Sequence, residues 1–331
     1  MKSMLRKILK VMCYILPNKS LIILEKRIKN KYHWAFLESL RLDSYLTKTD
    51  FEKIDVSSYP VCYITKGTWE YPLFNMNFLE NMLDNIIYCL SKDLRPVVMF
   101  KNGEQINLWE QFLEQPYEGM GQLTDQYIKC DILDAFITWP SIPTREDIRK
   151  YGKIYKAFVK LNRSTQVYFE NEYNNILKGK RAIGVLCRGT DYTGNKPKGL
   201  PVQPEIRDVI ALVKQKMKEL DCPWIYLATE EKRIFEQFEA EFPGQILVNK
   251  RHYFDDFYDI KKQGKDATRI SWVHFDREHD SYYRSLEYFS SLNLLSKCVA
   301  LIAGNCGGSR TSLYLNDNKY EFYHLFDLGL Y

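Results

Sequence analysis

At 331 residues the chain is long enough for two domains of ordinary size. Its 45% hydrophobic and 27% charged residues are typical of a globular protein and exclude a disordered or fibrous chain. The net charge of +5 comes from 47 Lys+Arg against 42 Asp+Glu. No basic stripe with interleaved aromatics accompanies it, which argues against a nucleic-acid binder.

Residues 1–50 read as helical and basic. Leu5, Ile8, Leu9, Met12 and Leu16 recur at helical spacing among Lys2, Arg6, Lys7 and Lys10. A basic amphipathic helix of this kind can lie on an anionic membrane surface. No small-residue cleavage site follows it, and no run reaches the ~20 apolar residues that span a bilayer. Next, 61–65 (Val-Cys-Tyr-Ile-Thr) predicts a buried strand, Lys66-Gly67-Thr68 a loop, 76–92 an amphipathic helix, and 96–100 a second strand. That βαβ order implies a parallel sheet. Residues 135–138 predict a further strand, and 144–178 a long helix.

The second half is the clearest. Strands are predicted at 181–187, 224–228, 245–248 and 299–303, and helices at 205–219, 231–240, 281–297 and 309–315. The strands are continuous apolar runs, as parallel strands covered on both faces require. Alternation of strand and helix predicts an open, doubly wound α/β sheet, whose ligands bind at the carboxyl ends of the strands. A boundary near 175 divides the chain into 1–175 and 176–331.

The eight cysteines, Cys13, Cys62, Cys89, Cys130, Cys187, Cys222, Cys298 and Cys306, form no Cys-x-x-Cys pair. They read as buried free thiols in a reducing compartment. On that reading the Asn-x-Ser matches at Asn18 and Asn162 carry no glycan.

The functional candidates are the residues that follow the strands. Arg188-Gly189-Thr190-Asp191 follows the 181–187 run and opens a glycine-rich, basic loop. A strand-end arginine sets a planar, permanent cation against a diphosphate. Gly189 admits close backbone approach, and Asp191 orients the guanidinium or bonds a ribose hydroxyl. An Arg–Asp structural pair is the plainer alternative. The loop matches neither Gly-x-x-x-x-Gly-Lys-Ser/Thr nor Gly-x-Gly-x-x-Gly, which argues against a P-loop nucleotidase and a dinucleotide dehydrogenase. Thr229-Glu230-Glu231 follows the 224–228 run. Its carboxylates either open the next helix or accept from a base or sugar hydroxyl. Asn305-Cys306-Gly307-Gly308-Ser309-Arg310 follows the last run. Small residues ahead of a helix make an anion site to which Arg310 adds charge; Ser309 is equally a capping residue. Two arginines and a helix start then converge on one cleft, the equipment for a nucleotide diphosphate, with no metal needed.

Three ordered segments resemble motifs of the fucosyltransferase superfamily, which takes in α-1,6-, nodulation and protein O-fucosyltransferases. They are Cys187-Arg188-Gly189-Thr190-Asp191, Tyr226-Leu227-Ala228-Thr229-Glu230-Glu231, and Leu295-Ser296-Lys297-Cys298 running on to Asn305 and Arg310. The resemblance covers about residues 181–315. It implies a GT-B-like fold, with two Rossmann-like doubly wound domains facing across a cleft: an acceptor side in 1–175 and a donor side in 176–331. It implies GDP-fucose as donor, no cofactor, and inverting, metal-independent transfer to a glycan hydroxyl. Arg188 would stabilise the departing GDP, and Gly189, Asp191, Thr229, Glu230, Glu231, Asn305, Ser309 and Arg310 would bind the donor. The family's histidine two residues before its essential arginine is Leu186 here, its second arginine is Gly189, and the place of its supposed base reads Asn195-Lys196. No catalytic base transfers; candidates in the irregular segment 250–280 are Asp255, Asp256, Asp259, His274 and Asp276.

The expected setting is surface-polysaccharide assembly, with a lipid-linked oligosaccharide acceptor at the inner face of the plasma membrane and a cytoplasmic or peripheral enzyme. The rival readings are a metal-dependent transferase using Asp255, Asp256 or Asp259, and a glycan- or nucleotide-binding module without chemistry.

Overall fold

The structure, a computed structural model, describes residues 11–13, 15–26, 31–65, 73–101, 106–117, 128–131, 139–254 and 274–331. In chain order the elements are α1 (Asn18–Lys26), α2 (Lys31–Lys48), β1 (Val61–Thr65), α3 (Met76–Leu90), β2 (Arg95–Met99), β3 (Ile128–Asp131), α4 (Arg145–Phe158), α5 (Arg163–Ile176), β4 (Ala182–Cys187), α6 (Thr190–Asn195), α7 (Ile206–Glu219), β5 (Trp224–Thr229), α8 (Lys232–Glu241), β6 (Ile246–Leu247), α9 (Asp280–Ser296), β7 (Ala300–Gly304), α10 (Gly307–Asn316) and β8 (Phe322–Phe326). The chain forms two compact α/β units. The first takes in 1–70, 78–140 and 153–160; the second takes in 71–77, 141–152 and 161–331. The expected boundary near 175 differs from this division, because α5 packs on α9 of the second unit.

The first unit carries a parallel sheet of order β2-β1-β3. Apolar residues of α3 at helical spacing, Phe78, Leu79, Met82, Leu83, Ile86 and Ile87, are fully buried, and the Phe78 ring lies 5.1 Å from Phe100. Val11, Met12 and Ile15 are exposed. Residues 1–10 of the expected basic helix, the loop at 66–68 and the strand expected at 135–138 lie outside the described residues.

The second unit is a five-stranded, all-parallel sheet of order β6-β5-β4-β7-β8. Ile183, Val185 and Cys187 of β4, with Ile225, Leu227, Ala300 and Ile302, enter a core shared with α7 and α8. The opposite face receives α9, which packs on β4 and β5. Gly184 permits that approach: a Cβ there would lie 3.0 Å from Leu295 Cδ2. Burial on both faces is why these strands read as unbroken apolar runs. The strand order reverses between β4 and β7, so the crevice outside their carboxyl ends is the switch point where doubly wound sheets bind ligands.

Three local differences from the sequence reading have plain causes. The stretch 144–178 is two helices: α4 ends at Phe158, and Asn162 caps the second, its side chain accepting from Thr165 N at 3.0 Å. The loop expected after Arg188 begins with the short helix α6. The edge strand β8 was not expected: Phe-Tyr-His-Leu-Phe is half-buried and mixes polar tips with apolar bodies.

Cys13, Cys62, Cys89, Cys187, Cys222, Cys298 and Cys306 are buried free thiols. No helix among the described residues is long and apolar enough to cross a membrane. Ile302 is fully buried at the centre of the second sheet. Ile302→Ala is expected to lower stability by about 2–5 kcal/mol, the cost of a buried cavity, read as an earlier midpoint in urea unfolding.

Candidate functional site

The carboxyl ends of β4, β5 and β7 open onto a cavity of about 640 Å³, all of whose lining residues belong to the second unit. That volume is within the range of about 300–1,000 Å³ usual for small-molecule sites. Arg188, the first residue past β4, lies in its wall with a side chain only 12% exposed. Nη2 donates to Asp191 Oδ1 at 3.1 Å, and Nη1 sits 3.5 Å from Glu230 Oε1. The guanidinium stacks over the Tyr192 ring, 4.9 Å from its centre. Burial alone would lower the Arg188 pKa; the Glu230 and Asp191 carboxylates outweigh it and hold the pKa well above the usual value. Nε is buried and has no hydrogen-bond partner among the described residues.

The backbone around Arg188 is fixed from β5. Glu230 Oε1 accepts from Gly189 N at 3.1 Å and from Thr190 Oγ1 at 3.2 Å, while Glu231 Oε1 accepts from Thr190 N at 2.7 Å. These bonds hold Thr190 at φ +42°, a left-handed conformation that a β-branched residue rarely adopts. Gly189 is sterically required. A Cβ there would fall 2.3 Å from Cδ of Glu231 and within 2.7 Å of both its oxygens.

The third wall is the start of α10. Cys306, Gly307, Gly308 and Arg310 line the cavity. Ser309 is fully buried and closes a capping box instead: its Oγ accepts from Cys306 N at 3.0 Å. Gly308 lets the Tyr288 hydroxyl reach the helix start; an added Cβ would lie 2.7 Å from it. The result is a helix N-terminus with small residues beside a cation, a ready anion site.

Of the residues singled out from the sequence, Arg188, Asp191, Glu230 and Arg310 line the cavity together. Gly189, Thr229, Glu231, Asn305 and Ser309 stand behind it. Thr229 Oγ1 accepts from Glu231 N at 3.3 Å, and Asn305 Nδ2 donates to Ser141 Oγ at 2.8 Å. His274 and Asp276 are exposed and outside the lining, and Asp255, Asp256 and Asp259 lie outside the described residues. Among the described residues no cluster of His, Cys, Asp and Glu is placed to hold a metal ion.

Sequence reasoning missed Tyr192, Arg251, His252, Phe254, Phe275, Arg284, Glu287 and Tyr288, all in the lining. The segment 251–254 follows the predicted strand run at 245–248, so the strand-end rule applied once more would have found it. Arg284 and Tyr288 are one turn apart on α9, and nothing in the sequence tells which face of that helix meets the cavity. Burial pushes the Tyr192 hydroxyl up to about 12, so it keeps its proton at neutral pH.

The lining holds five cationic side chains, Arg188, Lys198, Arg251, Arg284 and Arg310, against the carboxylates Asp191, Glu230 and Glu287. All three carboxylates are ion-paired. Asp191 and Glu230 hold Arg188, and Glu287 takes the Arg277 fork at 2.8 and 3.2 Å. The cavity is built for an anion.

No protein-family model and no curated protein matches the sequence. Among solved structures the chain is similar to the fucosyltransferases, as its motifs suggest. It covers 92% of a NodZ α-1,6-fucosyltransferase soaked with GDP-fucose, over 78% of its own length, at 13% identity and TM-score 0.49. It covers 92% of fucosyltransferase NodZ from Bradyrhizobium, over 77% of its own length, at 12% identity and TM-score 0.43. For POFUT1 in complex with GDP-fucose the figures are 99% and 83%, at 9% identity and TM-score 0.44. The site described above rests on this chain's own residues.

Gly189→Ala is expected to displace the Glu231 carboxylate and release Thr190. The cost is about 1–3 kcal/mol, as for other overpacked sites, measured by chemical denaturation; a variant as stable as the parent would contradict the packing described.

Proposed function

We propose that this chain is a glycosyltransferase that takes its sugar from a nucleoside diphosphate donor, with GDP-fucose the first donor to test. The observation that carries the reading is Arg188: a buried guanidinium held by two carboxylates in the wall of a cationic cavity that the start of α10 also lines. The ordered motifs after β4, β5 and β7 support the choice of family and donor.

On this reading the acceptor hydroxyl attacks the anomeric carbon as the bond from that carbon to the diphosphate oxygen breaks. The proton of the hydroxyl passes to a general base, the electron pair leaves with the nucleoside diphosphate, and the configuration inverts. Arg188, Arg310 and the α10 amides offset charge that grows on the leaving group. The reading assigns no metal to the step, and activity that persists in EDTA is the expected result. The acceptor is a glycan hydroxyl, in the setting of surface-polysaccharide synthesis at the inner membrane face. The basic residues Lys2, Arg6, Lys7 and Lys10, followed by exposed Val11, Met12 and Ile15, support membrane attachment. Co-sedimentation with anionic but not neutral vesicles is expected; equal recovery with both would remove that part.

One observation favours a second reading. The three carboxylates lining the cavity are committed to arginines, so none is placed as a ready base. A nucleotide-sugar-binding module without chemistry has this property. It is separated from the transferase by assaying transfer and donor hydrolysis with a panel of GDP-sugars.

In a thermal-shift panel GDP is expected to raise the melting temperature above UDP, ADP and CMP, since selective binding stabilises the folded state. Arg188→Ala is expected to abolish the GDP shift. It should lower kcat by about 10²–10³, the scale of losing one preorganised donor, ~2.7–4 kcal/mol. Arg188→Lys should not restore it, because an ammonium lacks the planar fork. Unchanged transfer by Arg188→Ala would sink the assignment.

A further inference from the structure

Beyond the diphosphate end, the cavity contains a second built feature made of aromatic rings. His252 lies over Phe275, ring centres 4.7 Å apart and planes 28° from parallel. Phe275 meets Phe254 at 4.8 Å. The Arg284 guanidinium lies over both phenyl rings, at 5.8 and 5.9 Å. All four residues line the cavity, and His252 is exposed within it. The cluster is fixed from α9: Asp280 accepts from Phe275 N at 3.1 Å and from Arg277 Nε at 2.8 Å, and lies 3.6 Å from Arg284 Nη1. It is tied to the Arg188 pair by one residue, since Phe254 N donates to Glu230 O at 2.8 Å.

We infer that His252, Phe275 and Phe254, backed by Arg284, form the nucleobase subsite of this cavity, stacking a purine ring on the outer face of His252. The inference rests on the donor reading above and adds to it where the base lies. Sheet order supports the placement. In doubly wound sheets the phosphates sit at the switch point, an acidic residue at the end of the next strand takes the ribose, and the base lies farther toward that edge. Here the switch point carries Arg188 and α10, Glu230 follows the adjacent strand β5, and the outermost strand β6 leads to His252 and Phe254. The shelf offers flat π-faces with a cation behind them, which suits a planar heteroaromatic ring.

The test is isothermal titration of the full chain with GDP and, separately, with inorganic pyrophosphate. Phe275→Ala is expected to weaken GDP about tenfold or more, the size of one base–aromatic stack, and to leave pyrophosphate affinity unchanged. His252→Ala, at an exposed side chain, should act in the same direction, and it decides the matter alone if Phe275→Ala does not fold. Arg188→Ala should weaken both ligands. GDP affinity unchanged in both aromatic variants overturns the inference, and so does an equal loss for GDP and pyrophosphate. If the parent chain binds neither ligand, the donor reading itself falls and the subsite with it; if it binds both and only the aromatic variants behave like the parent, the donor reading survives alone.

Discussion

The ion pair of Arg188 with Asp191 and Glu230 is the constraint on which the site depends. Removing a guanidinium from water costs several kcal/mol, and a buried pair recovers this only with good geometry and satisfied hydrogen bonds. A purely structural role at this strand end would be served as well by an apolar side chain. What the charged arrangement adds is orientation. The two carboxylates and the Tyr192 ring fix the plane of the guanidinium before any ligand arrives, and they leave the Nε donor unmatched. On the proposed reading, a cation already held in place needs no reorganisation as charge develops on the leaving group.

That orientation is secured by joining two strand ends. Glu230 and Glu231 leave β5 side by side and divide their work. Glu230 lines the cavity, pairs with Arg188 and accepts from Gly189 N, while Glu231 turns back to accept from Thr190 N. Thr190 accepts a left-handed backbone because three bonds compensate for it. Gly189 follows from the same arrangement, since the space a second arginine would need is filled by the Glu231 carboxylate. The departure from the family motif at position 189 thus has a steric cause inside this chain.

The fold was legible where burial is two-sided. The apolar runs at β4, β5 and β7 have one physical meaning, and a helix between each pair fixes the parallel sheet. Locating ligand residues immediately after the strands followed from that alone, and Arg188, Asp191, Glu230 and Arg310 do meet in one cavity. Orientation was not legible. Ser309 and Glu231 have the residue types of ligand-binding groups, yet both are turned inward to hold backbone amides. The choice between capping and binding depends on where neighbouring backbone places its N–H groups, which sequence spacing does not encode. The aromatic shelf was hidden for another reason: His252 and Phe275 are 23 positions apart and meet only because Asp280 holds the amide of Phe275.

The distribution of charge decides what kind of anion the cavity suits. The five cations of the lining outnumber its three carboxylates, and two of them lie on separate elements. Arg188 stands at the end of β4, whereas Arg310 and the glycine-flanked helix start follow β7. On the proposed reading a diphosphate reaches both elements, where a single phosphate reaches one. On that reading the same placement suits departure of the sugar, because charge moving onto the leaving group moves toward cations already in place. The two elements are neighbours because the sheet order sets the ends of β4 and β7 side by side.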